Sequence, residues 1–197
     1  QRSNWYNTAT SNIRLSQEQA FTIAAIMYPE FAKSEEWLSE GASAIANQLE
    51  TQFLEDGVHN EFDISYHFGD TGLAAFTELF SIVSANDKLS LFPSDYKDKL
   101  YRATQFMKDV IYPNYSVDNF NDTRSQRVTK SVLLKNFRTY SSMFPEDPEL
   151  MWIANQGAVG TKPSYRSKSY PAGGYYMLRT GWDSKDMMMI HKSNANV

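Results

Sequence analysis

Up to about residue 156 the apolar residues return at steps of three and four, and a turn signal cuts each run after a few helical turns. After Gly174 the step becomes two. That pattern confines the chain to antiparallel helical hairpins followed by strands. Ala20, Phe21, Ile23, Ala24, Ala25, Ile26 and Met27 make the first helix, apolar nearly all round, which Ser11 or Asn12 caps and Pro29 stops. Trp37, Leu38, Ala42, Ile45, Leu49 and Phe53 share one face of a second helix over residues 34–54, which ends at the Asp56-Gly57 turn. Leu73, Phe76, Leu79, Phe80 and Val83 mark a third helix over 66–85, closed by Asn86-Asp87. Ser94-Asp95 caps a fourth, with Leu100, Ala103, Phe106, Met107 and Val110 inward and Pro113 behind it. Two further helices are expected over 132–144 and 148–156.

Residues 115–130 form a loop rich in Asn, Asp, Ser and Arg, and a loop this long in a compact helical domain is often functional. Residues 157–174, with Pro163 and Pro171, read as a linker. Residues 175–179 and 187–190 read as two strands joined by a turn at Asp183-Ser184-Lys185. Two strands alone are marginal in water, so Tyr176, Leu178, Met188 and Ile190 are expected to rest on the helices or to pair with another chain. Both ends are abrupt, as in a piece of something longer.

The chain carries no Lys/Arg block and a net charge of -4, which argues against a nucleic-acid partner. Its lack of cysteine excludes thiol nucleophiles, disulfides and thiolate metal sites. No apolar run approaches the length of a membrane span. Aromatic residues make up 14% of the chain, a fraction that suits either sugar-stacking surfaces or a helical core.

The densest polar segment, Asp56-Gly57-Val58-His59-Asn60-Glu61-Phe62-Asp63-Ile64-Ser65-Tyr66-His67, lies between two apolar helices and so at a helix mouth. Tyr66 falls in the first turn of the helix that follows, where the positive end of the dipole lowers the cost of a phenolate. Asn12 and Asn4 also sit at or near a helix start. Each is an amide able to donate to a carboxylate, and each reads equally as a plain cap. His191 alternates with Met on a strand and reads as structural. No His pair stands at ligand spacing, and no phosphate loop or nucleophile elbow is present.

Several of these segments resemble the heparinase III-like heparan sulfate lyases of the heparinase II/III type. They are Met27-Tyr28-Pro29-Glu30-Phe31, the helix-mouth segment through Tyr66-His67, Lys135-Asn136-Phe137-Arg138, Met143-Phe144-Pro145, and Gly174-Tyr175-Tyr176-Met177-Leu178-Arg179-Thr180-Gly181-Trp182. The helix-mouth segment and the last strand are the specific parts. The resemblance implies a mainly α fold: an incomplete α/α toroid of helical hairpins over 1–160, a linker over 161–174, and the first strands of an antiparallel β-sandwich over 175–197. It implies β-elimination beside a uronic acid, with Tyr66 as acid and often base and Asn12 neutralising the uronate carboxylate. Asn4 is the rival for the second role, because it precedes Trp5. The family's third residue, a His of the β-domain, is expected beyond Val197, which leaves this chain by itself an incomplete catalyst. Substrate contacts are expected from His67, Glu61, Asn4, Asp122 and Arg124. The implied partners are an acidic polysaccharide and the remainder of the enzyme. No cofactor is expected within the chain, any divalent metal belonging to the family's β-domain outside it. The implied setting is the periplasm or exterior of a bacterium. Two departures stand out: Ile64-Ser65 where the family often has Ser-Pro, and Phe120-Asn121-Asp122 where it has aromatic-Gly-Asp. They leave alginate, another uronate polymer, or a non-catalytic sugar-binding domain as alternatives to heparan sulfate.

Overall fold

The computed structural model describes residues 11–69, 72–118, 120–121 and 128–193, with the side chains of residues 11 and 12 excepted. The helices are α1 (Ser11–Met27), α2 (Ser34–Gln52), α3 (Ile64–Phe68), α4 (Leu73–Ala85), α5 (Tyr96–Val110), α6 (Lys130–Met143) and α7 (Pro148–Ala154). A 3-10 turn, Leu89–Leu91, precedes α5. The strands are β1 (Ser167–Tyr170), β2 (Tyr175–Arg179) and β3 (Met188–Lys192).

The hairpins follow from the turn chemistry. α1 packs chiefly on α2 and α6 on α7, while α4 bridges to α1, α5 and α6. The α1–α2 approach is close because Gly41 carries no Cβ: one built there would stand 2.1 Å from the Thr22 hydroxyl. Thr129 caps α6 through the Val132 N–H. Asp147 caps α7 through the Glu149 and Leu150 N–H groups, with Pro148 in the first turn. Ile45, Leu49, Leu73, Phe76, Leu79, Val83, Leu100, Phe106, Met107, Leu133, Phe137 and Leu150 form one continuous core.

Three expectations need correction. The helix expected over 66–85 is two helices: α3 ends at Phe68 with Gly69 as its C-cap, and α4 starts at Leu73 with Gly72 as its N-cap. α1 is not buried all round: Ile13 and Met27 are exposed, whereas Glu18 and Thr22 are fully buried against α2. The segment expected as a linker contains β1, which pairs antiparallel with β2, so the sheet has three strands in the order β1-β2-β3.

The sheet rests on the helices, but β2 does so by the opposite face to the one its sequence suggested. Tyr175, Met177 and Arg179 are buried, while Leu178 is exposed. The cause is a polar anchor. The Asp109 carboxylate near the end of α5 accepts hydrogen bonds from the hydroxyls of Tyr165 and Tyr170, and the Asp109 carbonyl accepts one from Arg179 at 2.7 Å. The Arg179 guanidinium lies 3.5 Å from the Trp182 ring centre, and the Trp182 N–H donates to the Tyr165 carbonyl at 2.9 Å. Burial pushes the Asp109 carboxyl above its ordinary value, and the two tyrosine hydroxyls oppose that rise. β3 keeps the expected parity: Met188 and Ile190 pack on the core, and Met187 and Met189 are exposed.

The α2–α3 connection depends on Gly57. Its φ is +87, and a Cβ there would stand 2.5 Å from backbone atoms of Arg102 in α5. Gly57→Ala therefore combines a left-handed backbone with an overlap that no side-chain rotation relieves. It is expected to cost about 2–5 kcal/mol in denaturant unfolding. A loss below roughly 0.5 kcal/mol, the scatter of neutral surface changes, would contradict this account.

Candidate active site

The helix-mouth segment is built around two buried histidines. Residues Phe53 and His59 form an antiparallel bridge, and the Phe53 ring meets both imidazoles edge-on, each with centroids 5.2 Å apart. His67 Nδ1 accepts the His59 backbone N–H at 3.2 Å, and His67 Nε2 lies 3.0 Å from the Ala103 carbonyl of α5. Those contacts assign the tautomer, with the proton on Nε2. His59 Nδ1 accepts the Glu61 N–H, and His59 Nε2 faces the Gln52 amide oxygen. Burial lowers His59 to about 4. Burial, then repulsion from His59, lowers His67 to about 3 against the opposing Ala103 carbonyl. Both rings are therefore neutral at pH 7. His67 is 1% exposed with both ring nitrogens occupied, which corrects the expectation that it contacts substrate.

Tyr66 lies in α3, the single turn that follows. Asp63 caps it, its carboxylate accepting from Ser65 N at 2.7 Å and Tyr66 N at 3.1 Å. Tyr66 itself is half-buried. α3 has only five residues, and a carboxylate sits at its N-terminus. One turn sums few peptide dipoles, so the helix dipole expected to assist Tyr66 is largely absent. What the turn supplies is position. A Cβ at Gly72 would stand 2.0 Å from the Tyr66 carbonyl and 2.7 Å from that of His67, so the chain after α3 closes directly onto the turn that carries Tyr66.

The two segments most specific to the resemblance meet in space. Asp56 accepts the Gly173 N–H at 3.0 Å, joining the start of the helix mouth to the β1–β2 turn. The Tyr175 hydroxyl donates to the Phe62 carbonyl at 2.6 Å. Lys192 of β3 lies 4.5 Å from the Phe62 ring centre and 4.9 Å from that of Tyr175. Asn121 holds the same loop, its amide donating to the carbonyls of Glu61 at 2.9 Å and Phe62 at 3.1 Å. Asn121 has φ +61 and Phe62 φ +53. A left-handed position explains why Asn stands where the resembling motif has Gly, since Asn is among the few other residues that visit it readily.

Glu61 is half-buried beside this clamp. Asn12 lies at the start of α1, with its side chain outside the described residues. Asn4, Asp122 and Arg124 also lie outside them. Tyr175 and Asn121 are the residues that sequence reasoning missed. The signal available for Asn121 was an Asn, tolerant of left-handed backbone, where the resembling motif has Gly, and Tyr175 was marked only by its place in the Gly174–Trp182 segment. Among the described residues, no group of three His, Asp or Glu is placed to hold a metal ion, and no helix is long and apolar enough to cross a membrane.

A helical-hairpin layer with an antiparallel sheet docked on it, and a capped tyrosine turn at their junction, defines the fold class. The chain belongs to the family described as Heparinase II/III N-terminus, which matches residues 2–152. It is 34% identical to a heparin-sulfate lyase of Bacteroides thetaiotaomicron and 27% identical to one of Bacteroides stercoris. Both comparisons cover 94% of this chain, but the chain spans only 28% and 27% of those relatives. A crystal structure of heparinase III superposes with TM-score 0.84 at 34% identity, covering 94% of this chain and 29% of that one. The mainly helical fold followed by antiparallel strands thus agrees with the class the resemblance implied.

Proposed function

We propose that this chain is part of a polysaccharide lyase that cleaves heparan sulfate by β-elimination, acting in the periplasm or outside a bacterial cell. The observation that carries the reading is the placement of Tyr66. It is half-buried on a turn fixed by Asp63 and Gly72, at the helix–sheet junction, in a chain 34% identical to a named heparin-sulfate lyase.

The chemistry sets three requirements. The uronate carboxylate must be neutralised so that the proton on the adjacent carbon becomes acidic. A base must remove that proton, and an acid must protonate the departing glycosidic oxygen. Asn12 takes the first role as an amide donor, with Asn4 as its rival. Tyr66 takes the acid role and shares the base role. Glu61, Asp122 and Arg124 contribute contacts to an acidic, sulfated chain, and His67 supports the turn from within.

The test is the ultraviolet absorbance of unsaturated uronate when the whole protein is incubated with heparan sulfate and, separately, with alginate. Absorbance growing with heparan sulfate alone is the expected result. Growth with alginate alone would assign a different uronate polymer. Binding of either polymer without any absorbance would make the domain a non-catalytic sugar binder.

A further inference from the structure

We infer that Tyr175 and Asn121 are positioning residues for Tyr66, acting together through the Phe62 carbonyl. The inference rests on the lyase reading above and adds to it two residues that act through the backbone beside Tyr66. The Phe62 carbonyl receives two donors from segments far apart in the chain: the Tyr175 hydroxyl of β2 at 2.6 Å and the Asn121 amide at 3.1 Å. The same Asn121 amide also holds the Glu61 carbonyl. Phe62 needs such holding, because its φ of +53 is a conformation that a bulky residue adopts only when its surroundings enforce it.

The next residue is Asp63, whose carboxylate binds the N–H groups of Ser65 and Tyr66, so an error at Phe62 passes directly to the turn that carries the acid. The Tyr175 ring is itself fixed. It is fully buried, with the Phe106 ring at 5.0 Å and the Phe120 ring at 5.6 Å, each near-perpendicular. Burial also pushes the Tyr175 hydroxyl well above its ordinary value, which keeps it a protonated donor. The sheet is thereby mechanically coupled to the turn that carries Tyr66, and the Phe62 carbonyl is the point where Tyr175 and Asn121 both act.

The experiment compares Tyr175→Phe, Asn121→Asp and the double variant in the whole protein, measuring kcat, KM and melting temperature with heparan sulfate. Tyr175→Phe keeps the buried ring and removes only the donor. Asn121→Asp keeps the tolerance for positive φ, removes the amide donor and lies at an exposed site, so it serves even if the first variant folds poorly. Each single variant is expected to lose about 10- to 100-fold in kcat with KM within about 2-fold, the scale of a misplaced catalytic group. The double variant is expected to lose less than the product of the two losses, because both act on one oxygen.

An unchanged kcat in both single variants would overturn the inference. A fall in activity that merely tracks a lower melting temperature would overturn it too, since that is all a structural role would produce. A wild-type protein inactive on every uronate polymer tested would instead defeat the lyase reading, with the clamp still observable as slow exchange of the Tyr66 amide that the variants accelerate.

Discussion

Tyr66→Phe in the whole protein is expected to reduce turnover of heparan sulfate by roughly 10²–10⁴-fold or more while leaving the fold intact. The substitution removes one oxygen. The turn is held by bonds that do not involve the phenol: the Asp63 carboxylate takes the Ser65 and Tyr66 N–H groups, and Gly72 packs on the Tyr66 carbonyl. KM should move little, because in the proposed role the hydroxyl would act on the proton and the leaving oxygen rather than on the sulfated flanks of the substrate. A loss of that size, about 3–5 kcal/mol of transition-state stabilisation, separates an acid/base group from a contact residue. A Phe variant within about 3-fold of wild type would remove Tyr66 from the chemistry and return attention to Glu61 and the 115–130 loop.

The second large effect is on stability below neutral pH. His59 and His67 are held neutral in the folded protein, at about 4 and about 3, whereas an unfolded imidazole titrates near ~6.5. The unfolded chain therefore binds more protons than the native one as pH falls through that window. The stability contributed by the neutral pair is complete above pH ~6.5 and is lost as pH falls towards the folded values. At pH 5 each ring costs roughly 2 kcal/mol, so about 4 kcal/mol disappears relative to pH 7.5, a large share of the usual 5–15 kcal/mol. The buried Asp109 works in the other direction. Its raised carboxyl makes acidification favour the native state over the interval just above its ordinary value, which trims the loss only at the acid end. Denaturant unfolding at pH 7.5 and pH 5.0 should show the drop, and His67→Gln should roughly halve it even if the variant is weaker at both. Equal stability at the two pH values would mean that the imidazoles are not buried as neutral groups.

Much of the helical layer was legible because its signals are local. Pro29, Asn86-Asp87 and Pro113 follow helix ends in the fold as in the sequence, whereas α2 stops at Gln52, before Asp56-Gly57, because Phe53 turns extended to bridge His59. The Gly69–Gly72 break was missed because the apolar residues on either side keep helical spacing, and the requirement for Gly72 comes from a backbone contact that no periodicity records. β1 was hidden because three of its four residues are exposed, so no alternation marks it as a strand. The inverted face of β2 has the same kind of cause. Leu178 is the more apolar residue, but Arg179 is drawn inward by the Asp109 carbonyl and the Trp182 ring, a long-range polar attraction that outweighs side-chain hydropathy. At the site, the turn that carries Tyr66 was legible as a helix start, because Asp63 precedes it as a cap. The burial of His67 was not, since a histidine beside a candidate acid looks the same in sequence whether it faces a cleft or Phe53 and Phe106.

The Asp109 anchor also bears on how such proteins can change over evolutionary time. Its carboxylate is satisfied by hydroxyls from beyond the helices, and its carbonyl by a guanidinium from the sheet. A helical layer recombined with an unrelated sheet would bury that carboxylate without its donors, at a cost of several kcal/mol. The helices and the first strands are therefore coupled in stability, although the residue pattern changes sharply between them. A chimera that keeps Asp109, Tyr165, Tyr170 and Arg179 together avoids that cost.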